Sequence, residues 1–244
     1  GSTLATPLNP SQFVNGQAPN VGNPVLRSTG YVVCYQTFCS MASGATQGAI
    51  WSAEHLTNEQ VVSAKGASRK SLNFFPDPHI PSSMSPVTSD YTRSGYDRGH
   101  MAPWADSADP NCFTLANIVP QNPDNNRKLW EGIETSTRDT ALRYGEVYVV
   151  SGPIFAGSKA QRLKKGKIIV PTGFYKAVYI PAIGKASAYI VKNGPGDWWV
   201  PATIQSVISL THTDPFPALP ASVKNAPGEL MNPNIHGRFI QPSR

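Results

Sequence analysis

The sequence predicts an α+β fold with a central, mainly antiparallel sheet and one long helix, on three observations. Strand-like runs rich in β-branched and aromatic residues fall in two groups, Tyr31–Tyr35 with Gly48–Trp51, then Val147–Val150, Lys167–Val170, Phe174–Ile180 and Ala188–Val191. Between the groups lies one stretch of helical character, residues 124–144. No internal repeat or low-complexity linker divides the chain, and 244 residues are enough to bury a substantial core in a single domain.

Taken in order, residues 1–30 carry Pro7, Pro10, Pro19 and Pro24 with no period of 2 or 3.6, and read as an extended arm lying on the surface. The single domain then spans residues 31–244. Tyr31–Tyr35 and Gly48–Trp51 read as two strands, with the small, polar Ser40–Gln47 as the loop between them. Residues 65–95 are irregular, with Pro76, Pro78, Pro81 and Pro86, and Lys65, Arg69 and Lys70 cluster at their start. A connection of that length is more often functional than idle.

The long helix is predicted from Asp124, as N-cap after Pro123, to Tyr144, with Gly145 as its stop. At 100° per residue from Asn126, Leu129 falls near −60°, Ile133 near −20°, Trp130 near 40° and Glu134 near 80°. Asn126 and Glu134 therefore edge a buried face, where an unpartnered polar group costs roughly 1–3 kcal/mol. A metal and its waters could partner them. The basic run Arg162-Leu163-Lys164-Lys165-Gly166-Lys167 reads as a solvated turn.

Lys and Arg total 21 against 15 Asp and Glu, so the net charge of +6 favours polyanionic partners. The 20 Gly and 23 Pro predict a loop-rich molecule short of the disordered range. No apolar run approaches the ~18 residues that span a bilayer, so no membrane role is expected. Cys34 and Cys39 are spaced to close a small disulfide loop in an oxidising compartment or to pack as free thiols, and Cys112 stands alone. No second Cys or His pair lies at zinc-ligand spacing.

The chemistry concentrates in Asp97-Arg98-Gly99-His100, inside Tyr96–Asp106. A neutral imidazole takes a proton from water near neutral pH, and a guanidinium holds a phosphate with two parallel hydrogen bonds. A second block follows, from Asn117-Ile118-Val119-Pro120-Gln121 through Asn122–Asn126 to Trp130 and Glu134. Breaking a phosphodiester requires an activated water, charge neutralisation at phosphorus and help for the leaving oxygen. His100 suits the first. A hydrated Mg²⁺ held by the Asn126 amide oxygen, with Glu134 gripping its waters, suits the others, because Mg²⁺ keeps several waters.

Together the two blocks resemble the signature of the DNA/RNA non-specific endonucleases of the ββα-metal (His-Me finger) type, over roughly residues 48–194. The resemblance implies an enzyme, a sugar- and sequence-tolerant phosphodiester hydrolase acting on DNA and RNA and leaving 5′-phosphate ends. It implies His100 as general base, Arg98 as phosphate or transition-state clamp, Asn126 as the one direct metal ligand and Glu134 behind its waters. Asp97, Asn117 and Gln121 are implied to bind substrate or shape the site. Mg²⁺ is the implied cofactor, with Mn²⁺ as substitute, and a protein inhibitor is an open question. The family also carries an upstream catalytic Arg, for which Arg69 is the nearest candidate and Arg93 and Lys70 are alternatives. A secreted or periplasmic setting is expected, and activity should rise through the ~6–7 range usual for histidine. Residues before about 45 and after about 195 have no counterpart in the resemblance.

Overall fold

Apolar side chains at alternate positions build the sheet in this computed structural model, which describes residues 1–163 and 165–244; of the basic run, Lys164 lies outside the described residues. Along the chain run β1 (Thr3–Leu4), β2 (Gly30–Cys34), β3 (Cys39–Ser43), β4 (Gly48–Thr57), α1 (Asn58–Ala64), β5 (Asp97–His100), α2 (Trp104–Ser107) and β6 (Ile118–Gln121). There follow α3 (Trp130–Tyr144), β7 (Glu146–Ile154), β8 (Gly173–Ile180), β9 (Lys185–Lys192), β10 (Trp199–Ala202) and α4 (Ile204–Thr211). Eight strands form the main sheet in the order β1-β2-β3-β4-β7-β8-β9-β10. All neighbours are antiparallel except β1 with β2. The expected α+β class with a central, mostly antiparallel sheet is what the chain adopts.

Both faces of the sheet are buried, and the period of two sorts the side chains between them. Trp51, Ala53, Val150, Tyr175 and Ala177 pack on one face with Ile204 and Val207 of α4. Leu56, Val147, Val149, Phe174 and Val178 pack on the other with Trp130 and Ile133 of α3. Glu54 and Lys176 share the parity of Leu56 and Val178, so two charges enter the α3 side of the core, at 2% and 1% exposure.

Four expectations about the elements need correction. Residues 1–30 do not lie as an arm on the surface: Thr3 and Leu4 pair with Tyr31 and Val32, and Phe13 and Val14 are buried. Phe13 meets Trp51 edge to face at 5.9 Å, and the Gln12 side chain accepts a hydrogen bond from the His55 backbone. Short 3-10 turns at Pro10–Gln12 and Val14–Gly16 erase any period a sequence reading could detect. Ser40–Gln47 is not one loop, since Ser40–Ser43 is strand β3, where Ser40 and Ser52 bond across the ladder. Of Lys167–Val170 only Ile169 and Val170 are extended, and they pair with Arg162 and Gln161 outside the main sheet.

The helix, finally, is not capped by Asp124. Asn122 accepts from the backbone N–H of both Asp124 and Asn125, while Asp124 itself binds Lys128 and the Gly196 N–H. Cys34 and Cys39 face each other across the β2–β3 hairpin, Cα atoms 4.1 Å apart, and form a disulfide; Cys112 is a buried free thiol. Among the described residues, no helix is long and apolar enough to cross a membrane.

Candidate active site

Strands β5 and β6 pair antiparallel, with Asp97 opposite Gln121 and His100 opposite Ile118, and the chain passes from β6 directly into the long helix. This ββα unit sits beside the main sheet. A side chain at position 99 would bring its Cβ to 2.7 Å from the Gln121 Cβ, so glycine is what lets the two strands close. Alternation along β5 then sends Arg98 and His100 to one face.

His100 lies against Phe74 and Phe113, with ring centroids 5.3 and 4.8 Å away. Its Nε2 is buried with no partner among the described residues, which leaves Nδ1 to meet the cleft. Burial, helped by the nearby Arg69 charge, pulls the imidazole pKa down to about 3. The ring is therefore held toward its neutral form, which lowers the pH at which a rise in activity from this group is expected. The aromatic walls beside the ring are not visible in the four-residue motif, and they shift its pKa below the usual histidine value.

Arg98 is threaded between Phe74 and Tyr91, its guanidinium carbon 5.6 and 5.5 Å from the two rings, and one arm donates to the Thr88 carbonyl. Arg69 rests over Phe113 at 5.2 Å and reaches the same cleft. Of the three candidates for an upstream cation, Arg69 alone lines the cleft; Lys70 and Arg93 do not. The cleft holds about 540 Å³ and also takes in Asp97, Asn126 and Glu134.

Asn126 reaches it through an irregularity. Residues Asn125–Leu129 form a π-turn, which takes one residue more per turn than an α-helix and so shifts everything upstream by roughly 100°. Counted through that turn, Asn126 and Glu134 fall nearly in line rather than about 80° apart. The Asn126 Nδ2 donates to Asp97 Oδ2 at 2.9 Å, which fixes the amide and leaves Oδ1 without a partner among the described residues. Arg127 clamps both Asp97 oxygens, at 2.9 and 3.0 Å. Asn125, the neighbour one register away, is fully buried and bonded to Gln121 and the Lys192 carbonyl.

Asn117 and Gln121 stand behind the cleft. Asn117 accepts from Ser52 Oγ and the Ala102 N–H and donates to the Ala102 and Cys112 carbonyls, so it staples the chain that follows His100. Gln121 packs over Gly99 and holds Asn125. Both shape the site without lining it.

Beneath the helix lies a charge network that the sequence reading missed. Lys176 donates to Ser151 Oγ at 2.7 Å and to the Met101 carbonyl, next to His100, at 3.5 Å, and sits 4.9 Å over the Trp130 ring. Arg138 binds Asp106 at 2.9 Å. Glu54 is driven well above the usual carboxylate range by burial and by Asp106. Burial also pushes Glu134 up to about 7, against the pull of Lys176 and Arg138. Glu134 makes no hydrogen bond to another described residue. A lone amide oxygen and an unpartnered, desolvated carboxylate on one helix line are hard donors, and they fit a hydrated divalent cation. Among the described residues no cluster of three or more His, Cys, Asp or Glu side chains offers a different metal site. Arg138, one turn past Glu134, could have been found from i,i+4 spacing, and Lys176 and Glu54 from a charge inside an apolar strand run.

Comparison with known proteins identifies the family. Residues 9–221 match the family described as DNA/RNA non-specific endonuclease. The chain is 30% identical to mitochondrial endonuclease G of Bos taurus, over 94% of this chain and 75% of that protein. It is 32% identical to Nuclease C1 of Cunninghamella echinulata, over 76% and 77% of the two chains. With the mitochondrial nuclease EXOG of Xenopus laevis it shares 36% over 59% of its length, and spans less than half (45%) of that relative. Among solved structures, an EndoG/EndoGI complex described as showing the mechanism of EndoG inhibition superposes with a TM-score of 0.69 at 26% identity, over 75% of this chain and 84% of that one.

Proposed function

The chain belongs to the DNA/RNA non-specific endonuclease family, and from that premise we propose that it is a Mg²⁺-dependent endonuclease cutting DNA and RNA, with little regard to sugar or sequence, to 5′-phosphate products. The observation that carries the proposal is one cleft lined by the His100 imidazole, the Arg69 and Arg98 guanidiniums and the Asn126–Glu134 pair. His100 takes a proton from the attacking water. Arg69 and Arg98 bind non-bridging oxygens and hold the diester in line. Asn126 through Oδ1, and Glu134 through waters, would hold Mg²⁺, and Mn²⁺ would take the same oxygens. When bound, the cation neutralises charge at the phosphate and eases departure of the 3′ oxygen. Asp97 keeps Asn126 aimed, and Asn117 and Gln121 keep β5 and β6 in place.

None of these groups is placed to read a base edge, so affinity rests on the backbone and falls steeply with salt. The Cys34–Cys39 disulfide supports a secreted or periplasmic setting, although relatives include mitochondrial nucleases. One domain carries the activity, and a protein inhibitor is a fitting partner, given the inhibited complex among its structural neighbours. The decisive assay incubates supercoiled plasmid and single-stranded RNA with Mg²⁺ or with EDTA and maps the new termini. Cleavage of both with Mg²⁺ alone, leaving 5′-phosphates, is expected; retention of intact substrate with Mg²⁺ would make the chain a polyanion binder.

Two further results are expected. Asn126→Ala should raise the Mg²⁺ concentration needed for half-maximal rate more than Glu134→Ala, which costs ~10–100-fold in rate because it acts through water. Equal damage from Asn125→Ala would contradict the π-turn register. Glu134 must also be ionised to hold waters, so at low Mg²⁺ the rate should rise through about pH 7. Raising Mg²⁺ favours the ionised form and should move that midpoint to lower pH; a midpoint indifferent to Mg²⁺ would assign the titration elsewhere.

A further inference from the structure

Next to the cleft lies a second cavity of about 410 Å³, and the two share Arg69, Trp104, Ala105 and Arg138 as a common wall. Its lining includes carbon from Val61 and Ala64 of α1 and Leu142 of α3, together with Lys65, Thr135 and Asp139. Trp104, the first residue of α2, is only partly buried and sits 6.1 Å from Phe113, the ring that also backs His100 and carries Arg69. Arg138 is held flat in the same wall by Asp106 and Thr135.

We propose that this cavity is a nucleobase subsite: it takes the unstacked base of the nucleotide flanking the scissile phosphate, with the Trp104 indole as stacking platform. The inference rests on the nuclease reading above. The nucleotide beside a phosphate clamped by Arg69 can cross the shared wall, where carbon from Val61, Ala64 and Leu142 beside an indole and a guanidinium suits a flat aromatic ring. The cations at the rim, Lys65 and Arg69, meet the backbone. Stacking accepts every base because each has a π-face, so the subsite is blind to sequence. It is not blind to structure: a base in a duplex must leave its stack to enter. The chain should therefore cut single strands faster than duplexes of the same sequence.

The test uses single-stranded DNA oligonucleotides that carry one abasic sugar at each position in turn, cut by the wild type, W104A and W104F with Mg²⁺, each bond quantified. In the wild type an abasic sugar at one fixed position beside a bond should slow cleavage of that bond by about 5- to 100-fold. The penalty should vanish in W104A and persist in W104F. Because the readout is the ratio of intact to abasic substrate within one protein, a general loss of rate or of folded fraction does not imitate it. An undiminished penalty in W104A, or no penalty in the wild type, overturns the subsite while leaving the nuclease reading intact. A wild type that cuts no oligonucleotide overturns the nuclease reading and the subsite with it.

Discussion

Replacing His100 with alanine is expected to lower cleavage by ~10²–10⁴ while nucleic-acid binding is largely kept, because the mutation removes the base and leaves Arg69, Arg98 and Asn126 in place. The vacated space lies against Phe74 and Phe113 and is the size of the ring removed. Added imidazole should recover part of the rate, which lost folding could not explain. The same substitution has a thermodynamic signature. In the folded chain the imidazole titrates only near pH 3, whereas an unfolded histidine takes its proton below about 6.5. Between those values the unfolded state binds the extra proton, so wild-type stability should fall as pH drops from 6.5 toward 3. His100→Ala should lose that share of the slope. Denaturation midpoints at pH 4 and pH 7 measure it, and identical slopes in both proteins would mean that the ring is solvated. Wild-type-like cutting by the mutant would remove His100 from the mechanism.

Which residues share the cleft was more legible than the details of strands and helix. Asp97-Arg98-Gly99-His100 and the Asn126–Glu134 spacing are local, and the strand and helix that carry them bring those side chains to one cleft without help from distant sequence. What was not legible depended on contacts or on backbone register. The π-turn at Asn125–Leu129 leaves no trace in residue identities, so a wheel drawn at 100° per residue put Asn126 and Glu134 too far apart. Phe13 and Val14 sit in irregular turns, and only Trp51, from a strand far along the chain, makes them core. The 3 pKa of His100 is likewise a property of Phe74, Phe113 and Arg69, which surround it from other segments. Sequence patterns name groups; the values those groups take are set by neighbours the pattern does not contain.

Lys176→Met should be the most damaging change away from the cleft. Methionine fills much the same space, so what is lost is the charge together with its bonds to Ser151 and the Met101 carbonyl. Removing one partner from a buried ion network costs about 3–5 kcal/mol, since the remaining charges stay behind uncompensated. Here the exposed debt falls on Glu54 and Glu134, whose pKa values burial raises and Lys176 lowers. Without the lysine both climb further. A carboxyl whose folded pKa lies above its unfolded value costs nothing below the unfolded value and costs the full amount above the folded one. The stability deficit of Lys176→Met should therefore be largest at pH 8 and shrink toward pH 5. Adding Glu134→Gln to the lysine mutant should recover part of the lost stability at pH 8, though not cleavage, because one of the two uncompensated carboxylates is then gone. Urea titrations of the wild type, the single mutant and the double mutant at both pH values decide the matter. A deficit equal at pH 5 and pH 8, with no recovery in the double mutant, would make Lys176 a packing residue whose charge is irrelevant. A deficit that shrinks at acid pH and is partly recovered in the double mutant would place the ionisation of Glu134, and with it the grip on the cation's waters, under the control of a lysine buried beneath the helix.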